Sequence, residues 1–551
     1  MTVVNQRLAK ASILMAFGTI VSRLTGFVRM LLLIAVLGTA LNADIFELSN
    51  SIPNSLYILV AGGVFNVVLV PLLVRAMKEQ DDGGEAYVNR IVTLALIVLG
   101  TATVLLMIAV PVIMRIPFGE TLFEPGFENH RAAARLLMTL TMPQVFFYGM
   151  FVLVGQILNS REKFGPMMWA PVINNLVSIG VLALYAVIFG IATPPANAGF
   201  SNAEVWLLGV GSTLGIAVQA AVLVPFLRAT GFRYRPRFDF RGVGLNQTVQ
   251  LGGWALAFIV VNQAAYFTIA KIASEATLTG RKLDVPAAGQ AVYALGHLIS
   301  QVPHGIITVS VATAIIPTLT RLGAENDFLS FRRELGSVLR IALVIVAPLA
   351  VAVAVLGLPL GHVVGGIGSA ASSAEAIGHT ISAFSITMVA FCFHYMTLRG
   401  FYALSDTRTP FFVQAAIAAL NVALAFALSS LVTPIWTSTM LALAYGLAYV
   451  GGFILSASLL SRRVGGFIDS AMRAFLYRLA LVCLLAGGVM FSGRVTWQYL
   501  GWDHNNPLSA LLEVIRLGLV GAAITGGAMK LVRIQELSQL VQVIKRRRSG
   551  D

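Results

Sequence analysis

Apolar runs of about 20 residues recur along the whole 551-residue chain, each long enough to cross about 30 Å of hydrocarbon. That recurrence leaves few folds open. Without water in the bilayer core, each backbone N–H and C=O needs an internal partner, and a helix supplies one locally. Only 11% of the residues are charged, against about 25% in a soluble domain. The pattern predicts an all-α polytopic membrane protein of about fourteen transmembrane helices. The expected spans are 11–38, 43–77, 87–115, 131–159, 165–190, 203–228, 243–273, 287–320, 332–362, 378–404, 410–432, 436–460, 472–492 and 508–533. The first run carries two arginines and no small-residue cleavage pattern follows it, so it reads as a span rather than a removable signal.

The formal net charge is +14, and its distribution decides what it means. Alternate loops collect the basic residues: Arg75, Lys78 and Arg90; Arg161 and Lys163; Arg228, Arg233, Arg235, Arg237 and Arg241; Arg321, Arg332 and Arg333; Arg408; Arg462 and Arg463; and the tail "KRRRSG". The intervening loops, such as "GIATPPANAGFSNAE" and "GGIGSAASSAEAIG", are nearly free of them. Positively charged loops face the cytoplasm, so both termini are expected there. The charge therefore calls for no nucleic acid. The tail at Lys545 and Arg546 to Arg548 is expected to sit against anionic lipid.

An internal repeat organises the spans. Pro71 and Pro317 stand 246 positions apart, as do Arg75 and Arg321, Leu158 and Leu404, and Asn175 and Asn421. The shared offset predicts two pseudo-symmetric six-helix lobes, 1–235 and 236–465, related by an axis along the membrane normal. Two extra C-terminal helices occupy 466–535, and a basic cytoplasmic tail occupies 536–551. Two parallel halves suit an alternating-access transporter with its substrate site near midplane between them.

Polar residues inside the spans carry the functional signal. "SRLTGFVRM" holds the only two charges between Ala11 and Leu41. A guanidinium at mid-bilayer costs roughly 2.5–3.5 kcal/mol on insertion scales. Arg23, Gly26 and Arg29 fall at i, i+3, i+6, and Ser22 lies one heptad from Arg29. Arg29 is near enough to a helix end to snorkel; Arg23 is deeper. A wet cavity whose substrate supplies the missing anion accounts for both, because arginine's planar fork matches phosphate or carboxylate. Asp44 and Glu47 share a face of span two and suit either pairing with the arginines or capping the helix start. Further along that span, Pro53, beside Asn54, and Gly62–Gly63 are candidate bends, either of which frees backbone groups that need a polar neighbour.

Lys271 and Glu275 read as an i, i+4 ion pair. His297 and His304 lie one heptad apart with Gln301 between them. They suit a cavity wall or a polar packed face, and make a poor metal site. Asn174, Asn175, Asn262, Gln263 and Asn421 read as hydrogen-bond partners between helices. Cys392 and Cys483, the only cysteines, read as packing residues. No Walker loop, HExxH or nucleophile elbow is present, so no catalytic residue, metal or cofactor is expected, and transport energy is expected from a gradient or the membrane potential.

"SRLTGFVR" with "ADIFELSNSIPN", "GGVFNVVLVPLL", "ILNSREKFGPMMWAPVINN" and "LRGFYALSDTRTP" resembles the MurJ/MviN family of lipid II flippases, of the multidrug/oligosaccharidyl-lipid/polysaccharide exporter superfamily. The resemblance runs over residues 11–535. It implies two six-helix lobes, with spans thirteen and fourteen forming a groove for a lipid tail. The implied activity moves undecaprenyl-diphosphate-linked disaccharide-pentapeptide from the inner to the outer leaflet for peptidoglycan assembly. The implied partners are that lipid, membrane lipids and cell-wall synthesis proteins. By position, Arg23 and Arg29 match the family's cavity arginines that grip the diphosphate, and Ser22 and Gly26 flank them. Asp44 matches an acidic outer-gate residue, with Glu47, Asn54, His297 and Gln301 as further gate or cavity candidates.

The chain also departs from the family pattern. Met30 stands where many members have aspartate, Tyr57 near where they have a further arginine, and Leu298, beside His297, where another is expected. Span seven is free of acid from Gly242 to Ala270 and span eleven from Pro410 to Val432, so the sodium site of some members is not expected. Membrane potential is then the preferred drive. No regulatory domain is expected after "KRRR". A flippase for another undecaprenyl-linked glycan, a drug antiporter of the same superfamily and a non-transporting cell-wall scaffold are the competing readings. Scarce acid in the spans weighs against the antiporter, and the scaffold needs the two arginines to be structural.

Overall fold

The computed structural model describes residues 3–59, 84–191, 199–240, 245–366, 368–501, 506–534 and 536. The expected bend at Gly62–Gly63, the repeat anchors Pro71 and Arg75, Arg241 and the basic tail lie outside the described residues. In chain order the helices are α1 Val3–Leu37, α2 Leu41–Leu59, α3 Glu85–Ile113, α4 Glu128–Thr141, α5 Gln144–Ser160, α6 Gly165–Phe189, α7 Asn202–Ala221, α8 Leu223–Arg228 and α9 Leu245–Leu283. They continue as α10 Gln290–Pro303, α11 Val309–Ala324, α12 Phe328–Gly365, α13 Ala374–Ala403, α14 Arg408–Ser429, α15 Thr437–Val464, α16 Ser470–Tyr499 and α17 Pro507–Leu531. Among the described residues, thirteen helical spans are long and apolar enough to cross a membrane. The other expected span, the second, is described only over α2. The all-α polytopic fold is therefore as the sequence predicts.

Contacts divide the chain into two compact units, Met1–Thr279 and Gly280–Asp551. In the first, α1 packs on α6 through Gly18, Ser22 and Gly26, a small-residue row spaced by four that permits close approach. A Cβ on Gly18 would stand 2.9 Å from Trp169 Nε1, and one on Gly26 would stand 3.4 Å from Asn175 Nδ2. Asn175 Nδ2 donates to the Ser22 carbonyl at 2.9 Å and to Thr25 Oγ1 at 3.0 Å. Asn175 thus bonds between helices, as expected. Gln263 does the same, donating Nε2 to the Ser55 carbonyl at 3.2 Å, and Asn262 Nδ2 donates to the Phe258 carbonyl of its own helix at 2.8 Å.

Pro53 lies inside α2. A proline removes the hydrogen bond to the carbonyl four residues before it, here Ser49. The Thr141 hydroxyl, at the end of α4, donates to that carbonyl at 2.9 Å. The proline site does need a polar neighbour, and α4 supplies it.

The polypeptide after α8 lies along the start of α3. Asn89 Oδ1 accepts the Arg235 N–H at 2.8 Å, Thr93 Oγ1 accepts the Arg237 N–H at 3.1 Å, and Arg90 Nε donates to Asp239 Oδ2 at 2.7 Å. This segment, basic in sequence, is therefore tied down by side chains of one helical face.

Two expectations about α9 need correction. The helix runs to Leu283, ten residues beyond the expected end, because Ser274, Glu275 and Thr277 find polar partners that hold its extra turns. Lys271 and Glu275 also do not pair with each other. Lys271 Nζ reaches Glu120 at 2.7 Å, while the Glu275 carboxylate accepts the Thr121 hydroxyl and N–H. The loop between α3 and α4 offers both side chains a better partner than an i, i+4 contact. The Lys271 hydrogen bond and charge hold Glu120 below the usual carboxylate range.

In the second unit the long α12 is central. Gly357, Gly361 and Gly365 form a row against α13; a Cβ on Gly361 would stand 2.3 Å from the Ala374 carbonyl oxygen. Pro359 repeats the arrangement at Pro53. It frees the Val355 carbonyl, which accepts from Arg494 Nη1 of α16 at 3.1 Å. Between α10 and α11, a π turn over His304–Thr308 follows Pro303. Asn421 is buried in α14, as its repeat partner Asn175 is in α6, and the free cysteines Cys392 and Cys483 are buried packing residues.

Two outcomes follow from these contacts. Gly361→Leu must separate α12 from α13, and it should abolish recovery of monodisperse protein in detergent. Gly488→Leu, with nothing within 4 Å of its added Cβ, should leave recovery unchanged. The second outcome concerns pH. The Arg90 hydrogen bond holds Asp239 below its ordinary 3.8. A depressed pKa contributes stability above the ordinary value, and that contribution is lost as pH falls through the lowered one. Exchange of the Arg235 and Arg237 amides, corrected for intrinsic rates, should accelerate below about pH 4. Asp239→Asn should show the acceleration already at neutral pH.

Candidate functional site

The sequence stripe on α1 divides between two faces. Ser22 and Gly26 lie in the α6 seam described above, Ser22 presenting its carbonyl to Asn175. Arg23 is exposed, with no ion pair to any described residue. Arg29 is half-buried, and its Nε is enclosed without a hydrogen-bond partner.

Arg29 lines a cavity of about 170 Å³ within the first unit. α2 contributes Glu47, Asn50, Ser51 and Asn54, which fall at i, i+3, i+4 and i+7 and so share one helical face. α5 adds Gln144 and Tyr148, α6 adds Asn174 and Ser178, α7 adds Ser212, and α9 adds Tyr266. The remaining wall is apolar, including Leu33, Phe46, Val181, Leu208 and Ile216. Gln144 Nε2 donates to Asn50 Oδ1 at 3.0 Å, which orients both amides on the wall. Arg29 and Glu47 line this one space, yet the two form no ion pair within 4 Å.

Asp44 is separate from this cavity. Although three residues from Glu47 on the same helix, it is fully buried and its Oδ2 accepts the Thr277 hydroxyl at 2.7 Å. Asp44 therefore ties α2 to the added turns of α9. Of the sequence candidates, the structure gathers Arg29, Glu47 and Asn54 at one cavity and leaves Arg23, Ser22, Gly26 and Asp44 out of its lining.

Sequence reading missed Asn50, Ser51, Gln144, Tyr148, Ser178, Ser212 and Tyr266. One signal was available in the spacing of Asn50 and Ser51 from Glu47 and Asn54, and of Ser178 from Asn174. The others come from separate helices and need the fold to bring them together.

In the second unit His297 sits among aromatic rings, with centroids 6.3 Å from Tyr293, 5.6 Å from Phe384 and 5.5 Å from Tyr445. Its Nε2 is 3.2 Å from Gln301 Nε2. His304, in the π turn, lies 4.5 Å from the Phe391 ring and 4.7 Å from the Tyr395 ring. These side chains lie against aromatic rings of α10, α13 and α15 and stay partly exposed. No group of three metal-ligating side chains occurs among the described residues.

A second feature unread in the sequence is Glu513 of α17, fully buried, under the fields of Arg494 and Arg516. The Arg516 guanidinium lies 3.6 Å over the Trp497 ring. This cluster joins α16 to α17, and the Arg494 bond to Val355 joins both to α12.

Comparison with known proteins places this architecture. The family described as "Lipid II flippase MurJ" matches residues 33–506. A probable lipid II flippase MurJ of Vibrio cholerae is 26% identical over 540 residues, covering 94% of this chain and 95% of its own. One from Haemophilus influenzae is 26% identical over 405 residues, covering 71% and 75%. Among solved structures, a lipid II flippase MurJ in an inward closed conformation superposes with a TM-score of 0.72 at 17% identity, covering 94% of this chain and 99% of its own. An inward-facing multidrug resistance MATE transporter gives 0.62 at 15% identity, covering 80% and 95%. These structures share the fold; the family match, over most of the chain, decides kinship. The chain is a multi-pass member of a transporter family, not of an enzyme family: it belongs to the lipid II flippase MurJ family.

Proposed function

We propose that this protein moves lipid II across the bacterial cytoplasmic membrane, from inner to outer leaflet, and that Arg29 with Arg23 holds the diphosphate during passage. The observation that carries the reading is Arg29 itself. Its Nε is enclosed beside a polar cavity in a membrane-embedded unit and makes no hydrogen bond there. An arginine in hydrocarbon costs several kcal/mol, and a bare one is retained where function uses it. A phosphate oxygen is the partner that a guanidinium fork fits best, at short charge-assisted distance.

Arg23 is exposed on the same helix, six residues toward its N-terminus. The two guanidiniums then lie along one helix, so a diphosphate passes from one to the other by a displacement of about 9 Å at 1.5 Å per residue. Two six-helix halves working by alternating access, a tail groove along α16 and α17, and both termini in the cytoplasm complete the reading. The repeat and the loop charges support it. Membrane potential is the preferred drive, since the expected acid for a sodium site is lacking in spans seven and eleven.

Arg29→Ala and Arg23→Ala, each expressed at matched membrane levels in depleted cells, should fail to restore growth. Outer-leaflet lipid II should fall at least tenfold, the loss of one charge-assisted hydrogen bond or more. Rescue by both single variants and by the double variant, with normal outer-leaflet lipid II, would make the arginines structural and favour a scaffold.

A further inference from the structure

Glu47 is the unexplained member of the cavity. It faces the same space as Arg29, and neither side chain makes a hydrogen bond or an ion pair within 4 Å to a described residue. A carboxylate kept only as the resting counter-ion of Arg29 would bond it directly, since that contact offsets the burial of both charges. Here the two side chains are not paired with each other, and both line a space walled by amides and hydroxyls from five helices.

We infer that Glu47 and Arg29 are the two poles of one binding site. Arg29 takes a phosphate oxygen, and Glu47 accepts a hydrogen bond from a donor on the glycan–peptide part of the same headgroup. This rests on the proposed handling of lipid II. The chemistry of the two groups differs: a guanidinium has only donors, whereas a carboxyl group keeps an accepting oxygen in either protonation state. The occupant must therefore present an anion at one end and an O–H or N–H at the other. A cavity of about 170 Å³ takes a phosphate and the atoms next to it rather than a whole disaccharide-pentapeptide. The donor is accordingly a group close to the diphosphate. The Gln144–Asn50 bond orients two amides of the same wall, and Asn54, an exposed member of the lining, lies one turn beyond Asn50 on the same helix.

The test uses the full chain in lipid nanodiscs, with binding measured for two probes. One is lipid II; the other is undecaprenyl diphosphate, which has the phosphates and no glycan or peptide. Glu47→Gln should weaken lipid II binding about tenfold, the effect of losing a hydrogen bond to a charged group. It should leave undecaprenyl diphosphate unchanged. Arg29→Ala should weaken both probes. Unchanged or tighter lipid II binding by Glu47→Gln overturns the second pole, tighter binding marking a mere counter-ion. Equal weakening of both probes overturns it too, since Glu47 would then act through Arg29 alone. If Arg29→Ala loses neither probe, the phosphate reading itself has failed. Should Glu47→Gln fail to fold, Glu47→Asp keeps the acceptor but draws it back, and the same selective loss for lipid II is expected.

Discussion

The hydrocarbon core will not solvate a backbone carbonyl, and much of this molecule follows from how its helices meet that demand where their own ladder breaks. Pro53 and Pro359 each free a carbonyl four residues earlier. Thr141 reaches the first and Arg494 the second. Both answers come from a different helix. A proline thus becomes a point of attachment between helices, and α2 and α12 are placed by their defects as well as by their apolar faces. In α12 the attachment has a further effect. Arg494 lies beside the buried Glu513, so a charged cluster fixes the last two helices where apolar packing alone gives little orientation.

The cavity shows the same economy applied to charge. α2 turns one polar face toward it, while Asp44, on the same helix, is spent on Thr277. Asn175 anchors α1 through the carbonyl of Ser22 and the hydroxyl of Thr25, one turn before Arg29. Anchoring the backbone that close to a guanidinium limits where its fork can point. A preorganised arginine loses less freedom when it binds than a free one.

How much of this could be read from the residues depended on whether the information was local. The helical spans, the buried cysteines and the need for a polar neighbour at Pro53 follow from short stretches of chain, and the structure has them. The arginines stood out because charge is rare in the spans. Partner choice was less legible. Lys271 and Glu275 look like a pair on a helical wheel, yet each is claimed by the α3–α4 loop, more than 150 residues away in sequence. Ser22 and Gly26 sit on the arginine stripe by spacing but serve the α6 seam, because small residues buy close approach. Tyr148, Ser212 and Tyr266 carry no local mark at all, and only the bundle makes them neighbours of Arg29.

The hydroxyl of Thr141 on the Ser49 carbonyl has a mechanical meaning. At that turn one carbonyl of α2 is held by a neighbour's side chain rather than by its own backbone. Exchanging that single contact for another donor or a water would alter the bend without unwinding a residue.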